Sequence, residues 1–188
     1  LRHENSGLGQ GFDRSIPTDQ EKQLGHVSTE IIQKVIEDEG DQPCFIWLHV
    51  FDAHAPYTPP EEYRYEYYPE DRNPYTQGTG LTDKARANWD PRIRDLEFVL
   101  AQYRSEITYL DETLASVFGE PAFDDAIIAF TADHGECLGA HGIFFKHNGL
   151  YSDTVDIPLI LRWPDCPAGT RVKTPVQNHN LGRTLLDL

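Results

Sequence analysis

The run Ala126-Ile127-Ile128-Ala129-Phe130-Thr131, followed at once by Ala132-Asp133-His134-Gly135-Glu136, constrains this chain more than any other stretch. A short apolar run bounded by Glu120-Pro121 and Asp124-Asp125 on one side and by Gly135 on the other has the length of a strand. Its lack of polar alternation predicts burial on both faces, the condition of a strand inside a helix-covered sheet. In open α/β sheets chemistry gathers at the carboxyl ends of such strands. Asp133 and His134 stand at that end, and carboxylate and imidazole both ligate metals. The plainer reading of the same residues is a polar turn in which Asp133 caps the next segment and Gly135 makes the bend.

A second run of the same kind lies upstream. Pro43 introduces Cys44-Phe45-Ile46-Trp47-Leu48-His49-Val50-Phe51, which reads as a central strand, and it too ends in polar residues, Asp52-Ala53-His54-Ala55-Pro56-Tyr57-Thr58-Pro59-Pro60. The prolines stop helix and strand alike, so His54 is expected on a stiff loop. Residues Asp156 to Pro164 give a third strand. Helices are expected between these runs. Val27, Ile31, Ile32, Val35 and Ile36 recur at helical spacing, with Ser28 and Thr29 as caps and Glu39-Gly40 as the end. Asp90-Pro91 is suited to begin a second helix. Its expected core stripe is Leu96, Leu100, Tyr103, Ile107, Leu110, Leu114 and Val117, and its charges, Glu97, Arg104, Glu106, Asp111 and Glu112, read as a solvated face. Asn180 to Leu188 begins a third helix. Residues 61–90, rich in Tyr, Pro, Glu and Asp, read as a surface excursion. Its tyrosines are read as a packed edge ahead of a substrate contact. The class that follows is α/β, a mostly parallel central sheet flanked by helices.

Charge narrows the function. The 31 acidic against 16 basic residues give a net charge of -15, which excludes a nucleic-acid or anionic-membrane surface built on clustered Lys and Arg. An anionic substrate then needs a local device such as a metal ion or a single Lys. No run approaches the roughly 18 apolar residues of a membrane span. Cys44, Cys137 and Cys166 make an odd number without paired short spacing, so neither a zinc knuckle nor a disulfide framework is indicated. Compartment and oligomeric state have no signature here.

Taken together, strand-Asp-Ala-His-Ala-Pro-Tyr, an amphipathic helix, strand-Thr-Ala-Asp-His-Gly-Glu-x-Leu-Gly-x-His-Gly, Lys146, Leu150-Tyr151 and Ile157-Pro158-Leu159-Ile160 with Pro164 resemble the sulfatase branch of the alkaline phosphatase superfamily, from about Gly11 to Leu188. The resemblance implies one partial sulfatase-like catalytic domain over residues 1–188, truncated at both ends. It implies that Asp133 and His134 bind a divalent ion. Calcium is the family's usual metal, whereas imidazole suits manganese, iron or zinc. By the same resemblance Lys146 contacts the anionic oxygens of the ester. His54 contacts the same group and protonates the leaving alcohol. His147 is placed with them as substrate-binding, although its ring, like that of His141, also reads as a support that orients its neighbours. Cys137 reads as a small buried residue.

In that family a Cys or Ser within Cys-x-Pro-Ser-Arg becomes formylglycine, and an Asp pair completes the metal site. Neither pattern occurs here, so the resemblance assigns both to a missing N-terminal half of the same protein. The implied reaction is attack of the hydrated aldehyde on the sulfur of a small-molecule or saccharide sulfate ester, departure of the alcohol with a proton from His54, and expulsion of sulfate from the hemiacetal. This chain alone is expected to be inactive. Two alternatives stand beside it: a phosphonate or phosphate ester hydrolase of the same superfamily using a transition metal, and a non-catalytic binding module.

Overall fold

The computed structural model describes residues 7, 9–16, 25–40, 42–78, 80–81 and 90–188. The chain divides into two compact units, Leu1–Arg72 with Glu97–Val117, and Asn73–Leu96 with Phe118–Leu188.

In the first unit, helix α1 runs over Gly25–Glu39. The expected end is found: Gly40, at φ 59°, donates its N–H to Ile36 O at 3.0 Å and stops the helix in the left-handed conformation that glycine adopts without strain. The start differs, because Ser28 and Thr29 lie inside the helix rather than capping it, and Ser28 is buried beside the core position Ile32. The side chain of Val27 lies outside the described residues. Helix α2, Leu96–Phe118, begins later than Asp90-Pro91 implied. Asp90 instead closes a turn, its Oδ1 accepting the Arg92 N–H at 2.9 Å and its carbonyl accepting the Ile93 N–H at 2.9 Å.

Of the expected α2 stripe only Val117 is buried, and the rest of the buried face is a different one. Phe98, Val99, Ala101, Gln102, Ser105, Glu106, Tyr109 and Val117 are buried, whereas Ile107 is 43% exposed. Aromatic pairs fasten this face to the preceding loop: Tyr68 meets Phe98 edge-on with ring centroids 5.0 Å apart, Tyr63 meets Tyr109 at 5.4 Å, and Tyr57 meets Tyr103 at 5.1 Å. Of the expected excursion, residues 79 and 82–89 lie outside the described residues, and its described part is mostly turns.

Residues 44–51 do not form a strand. They carry no regular secondary structure; from residue 46 to 51 more and less exposed positions alternate, but no ladder pairs them among the described residues. Phe45 and Trp47 project outward at 71% and 55% exposure, with the Phe12 ring 5.8 and 6.1 Å from theirs.

The second unit carries the strands. β1 (Ile128–Thr131) is followed by β2 (Cys137–Leu138), β3 (Phe144–Lys146), the single-turn helix α3 (Ser152–Val155), β4 (Leu159–Arg162) and helix α4 (Leu181–Asp187). The expected mostly parallel central sheet is overturned: the described strands form two antiparallel two-stranded sheets, β1 with β4 and β2 with β3. In the first, Ile128 faces Arg162 and Thr131 faces Leu159. With one neighbouring strand among the described residues, the apolar run is not buried on both faces. Ala129 is exposed, and Ile127 and Ile160 are 44% and 62% exposed. A two-faced apolar pattern records a demand for cover, not where the cover comes from. Arg162 closes the open end of the pair by donating to the carbonyls of Phe123 (2.7 Å) and Asp124 (2.6 Å). Among the described residues no helix is long and apolar enough to cross a membrane.

Candidate active site

The chain leaves β1 into Ala132-Asp133-His134-Gly135, and side chains remote in sequence hold that exit. Thr131 donates its hydroxyl to Pro158 O at 2.9 Å, and Asn178 donates its amide to Ala132 O at 2.9 Å. Gly135 then passes against the segment of α3. Its N–H donates to Thr154 O at 2.9 Å, and a Cβ built on it would stand 2.2 Å from Asp153 O, so only glycine fits this approach. Buried Thr154 anchors the other side, its hydroxyl within 2.9 Å of both Gly149 O and Tyr151 O.

This local geometry fixes both donor groups. Asp133 Oδ1 accepts the His134 N–H at 2.9 Å, while its side chain stays 82% exposed. His134 Nδ1 lies 2.8 Å from Gly135 O, and a carbonyl only accepts, so Nδ1 carries the proton and Nε2 keeps the lone pair. That Nε2 is 3.7 Å from Asp133 Oδ1. Two donors each about 2.0–2.4 Å from one ion are separated by roughly 3–4 Å, so the pair fits a shared divalent cation in both spacing and tautomer. The donor set, one carboxylate oxygen and one imidazole nitrogen, suits manganese, iron or zinc at least as well as calcium. The His147 ring stacks on that of His134 with centroids 3.8 Å apart and planes inclined by 27°.

Lys146 ends β3, exposed, opposite Cys137 of β2. Cys137 is fully buried, and burial above all, then the nearby Asp153 and Glu136 charges, raises its thiol pKa, which disfavours the thiolate a nucleophile requires. His141, in the left-handed region at φ 56°, stacks on Tyr151 with centroids 3.9 Å apart and brings Nε2 to 3.8 Å from Asp153 Oδ2. It therefore ties the turn between β2 and β3 to the segment that supports Gly135.

His54 belongs to the first unit, on the loop after the apolar run of residues 44–51. Its Nδ1 lies 2.7 Å from Ala55 O, which fixes the same tautomer as in His134, and its ring stacks on Phe51 at 4.4 Å. Sequence reasoning missed what holds this loop. Glu106 is fully buried rather than solvated: its Oε2 accepts the Ala53 N–H at 2.9 Å and its Oε1 the Thr58 N–H at 2.6 Å. One turn before it Gln102 donates to Arg64 O at 2.6 Å, and the adjacent Ser105 donates to Tyr63 O at 2.7 Å. The loop with prolines at 56, 59 and 60 pairs only part of its own backbone, His54 N–H to Phe51 O at 3.2 Å and Tyr63 N–H to Pro60 O at 3.0 Å, and a polar stripe on α2 takes up further groups. The available signal was Gln102-x-x-Ser105-Glu106, polar residues three and four apart on one helical face.

Comparison with known proteins agrees with the motifs. The sulfatase family profile matches residues 7–188. The choline-sulfatase of Rhizobium meliloti (strain 1021) is 28% identical over 123 residues, 63% of this chain and 23% of that protein. A sulfatase of Formosa agariphila is 25% identical over 166 residues, 78% of this chain and 32% of that protein. The uncharacterized sulfatase YidJ of Escherichia coli (strain K12) is 41% identical over 63 residues, 32% of this chain and 12% of that protein. The chain thus spans a third or less of the length of these relatives. No solved structure is significantly similar to it.

Proposed function

The chain belongs to the sulfatase family, and from that premise we propose that it is the metal-binding and proton-donating portion of a sulfuric ester hydrolase. The observation that carries the proposal is the Asp133–His134 pair, whose donor atoms lie 3.7 Å apart with the histidine in the metal-binding tautomer. In this reading Asp133 and His134 hold the divalent ion, which when bound supplies positive charge against the oxygens of the ester. Lys146 adds a point charge toward the same oxygens, and His147 supports the His134 ring by stacking. His54, protonated at Nε2 while Nδ1 stays bonded to Ala55 O, gives that proton to the departing alcohol. The nucleophile, a formylglycine, and the remaining metal ligands come from a part of the protein outside this sequence.

The ring nitrogens that His134 and His147 bring within 4.8 Å of one another favour a second reading, a phosphonate or phosphate ester hydrolase using a transition metal. Turnover of matched aryl sulfate and aryl phosphonate esters by the full-length enzyme, loaded in turn with calcium, manganese and zinc, separates the two. Absence of sulfate turnover with every metal refutes the first reading. A tandem mass spectrum of the peptides upstream of Leu1 tests for formylglycine in the same preparation.

A further inference from the structure

The residue that controls His54 lies on another element. We infer that Glu106 is a positioning residue for His54: its two carboxylate oxygens grip the backbone on both sides of that histidine and thereby aim the proton-donating nitrogen. The inference rests on reading His54 as the proton donor.

Ala53 and Thr58 flank the histidine, one residue before it and four after. Their N–H groups converge on one carboxylate, at 2.9 and 2.6 Å. Such an acceptor is preorganised, because Glu106 is fully buried in the middle of α2 and cannot swing into solvent. Ala53 is also held at φ 68°, a conformation an alanine seldom adopts unless its surroundings impose it. The Glu106 bond to the Ala53 N–H is one such constraint. His54 follows directly; its bond to Ala55 O sets the tautomer, its N–H donates to Phe51 O at 3.2 Å, and the clamp holds the peptides on either side of that turn. The acceptors are matched to the donors in a way that an amide cannot reproduce. In Glu106→Gln one oxygen becomes an NH₂ group facing an N–H, and one side of the histidine is released.

Leaving-group dependence distinguishes positioning from general damage. A nitrophenolate departs without a proton, whereas an alkoxide needs one, so a misplaced acid slows alkyl esters selectively. The experiment compares kcat/KM of the full-length enzyme on 4-nitrophenyl sulfate and on an alkyl sulfate, for wild type, His54→Ala and Glu106→Gln. His54→Ala is expected to lose roughly 10²–10⁴-fold on the alkyl ester and far less on the nitrophenyl ester. Glu106→Gln is expected to lose about 10–100-fold on the alkyl ester and less than about threefold on the nitrophenyl ester. Equal losses on both esters in Glu106→Gln, with selective loss in His54→Ala, overturn the inference alone. Equal losses in His54→Ala overturn the assignment of His54 as the acid, and the inference falls with it. A measurement on wild type covers the case in which Glu106→Gln does not fold: the Ala53 and Thr58 amides must resist hydrogen exchange as core amides do. Exchange at the rate of an open loop overturns the clamp.

Discussion

Gly135→Ala offers a direct test of how the Asp133–His134 turn is held. The added methyl carbon would stand 2.2 Å from Asp153 O, 3.1 Å from Asp153 C and 3.3 Å from Thr154 Cα. Ordinary carbon–oxygen contact begins at about 3.3 Å, so the backbone must open by about 1 Å. Nothing flexible is available to yield, because the clashing atoms are main chain and Thr154 is bonded to Gly149 O and Tyr151 O. Opening breaks the Gly135 N–H bond to Thr154 O, worth about 0.5–1.5 kcal/mol, and adds overpacking strain of about 1–3 kcal/mol. The expected loss is about 2–4 kcal/mol, read from urea denaturation midpoints at a common m value. Gly142→Ala is the control. Gly142, unlike Gly135, lies at positive φ, at 69°, but nothing stands within 4 Å of its added carbon, so only the backbone cost of about 1 kcal/mol applies. A Gly135→Ala loss below about 0.5 kcal/mol, or one no larger than that of Gly142→Ala, refutes the contact argument.

Three further outcomes are expected. Asp133→Asn weakens divalent-metal binding to the full-length enzyme by more than about 100-fold in calorimetric titration, since loss of even an outer partner of a metal ligand costs about 10–100-fold. Cys137 resists iodoacetamide at pH 8 while exposed Cys44 is alkylated, as peptide mass spectra would record. Because burial raises the Cys137 pKa above its ordinary 9.0, the unfolded chain loses this proton first. The thiol's contribution to stability is therefore complete below pH 9.0 and declines as pH rises toward the folded value, visible as a falling melting temperature. Tyr63, whose hydroxyl donates to Glu112, has its pKa pushed up to about 12 chiefly by that bond, and Glu112→Gln should return it toward 10.0 in a difference absorbance titration.

Local chemistry was legible in the sequence where one residue decides the outcome. Gly40 ended α1 because the left-handed position suits glycine, and the limits of the α2 stripe, Leu96 and Val117, fell at or within one residue of that helix's ends. What the sequence hid was the choice of neighbours. The α2 periodicity contains two faces of helical spacing, an aliphatic one with Ile107 and a mixed one with Gln102, Ser105 and Glu106. The mixed face was buried because the proline-rich loop needs hydrogen-bond partners more than it needs apolar contact. Strand pairing was likewise invisible. The pattern of Ile128 to Thr131 fits any sheet position, and nothing in it selects Leu159 to Arg162 as an antiparallel partner.

His54 and His134 obey one local rule whose effect depends on distant residues. Each ring bonds through Nδ1 to the carbonyl of the next residue, so the motif itself sets the tautomer. A tautomer without a position does no chemistry, and each position comes from elsewhere: Glu106, 53 residues from Ala53, holds the first loop, while Thr154 and Asn178 hold the second. A short motif can therefore survive intact in a chain that has lost its function. Substitution of Glu106 or Asn178 leaves every motif residue in place and removes a side-chain bond that holds its backbone. On this argument the activity of a relative that keeps Asp133-His134 and His54 follows from whether it also keeps an acceptor at position 106 and a glycine at 135.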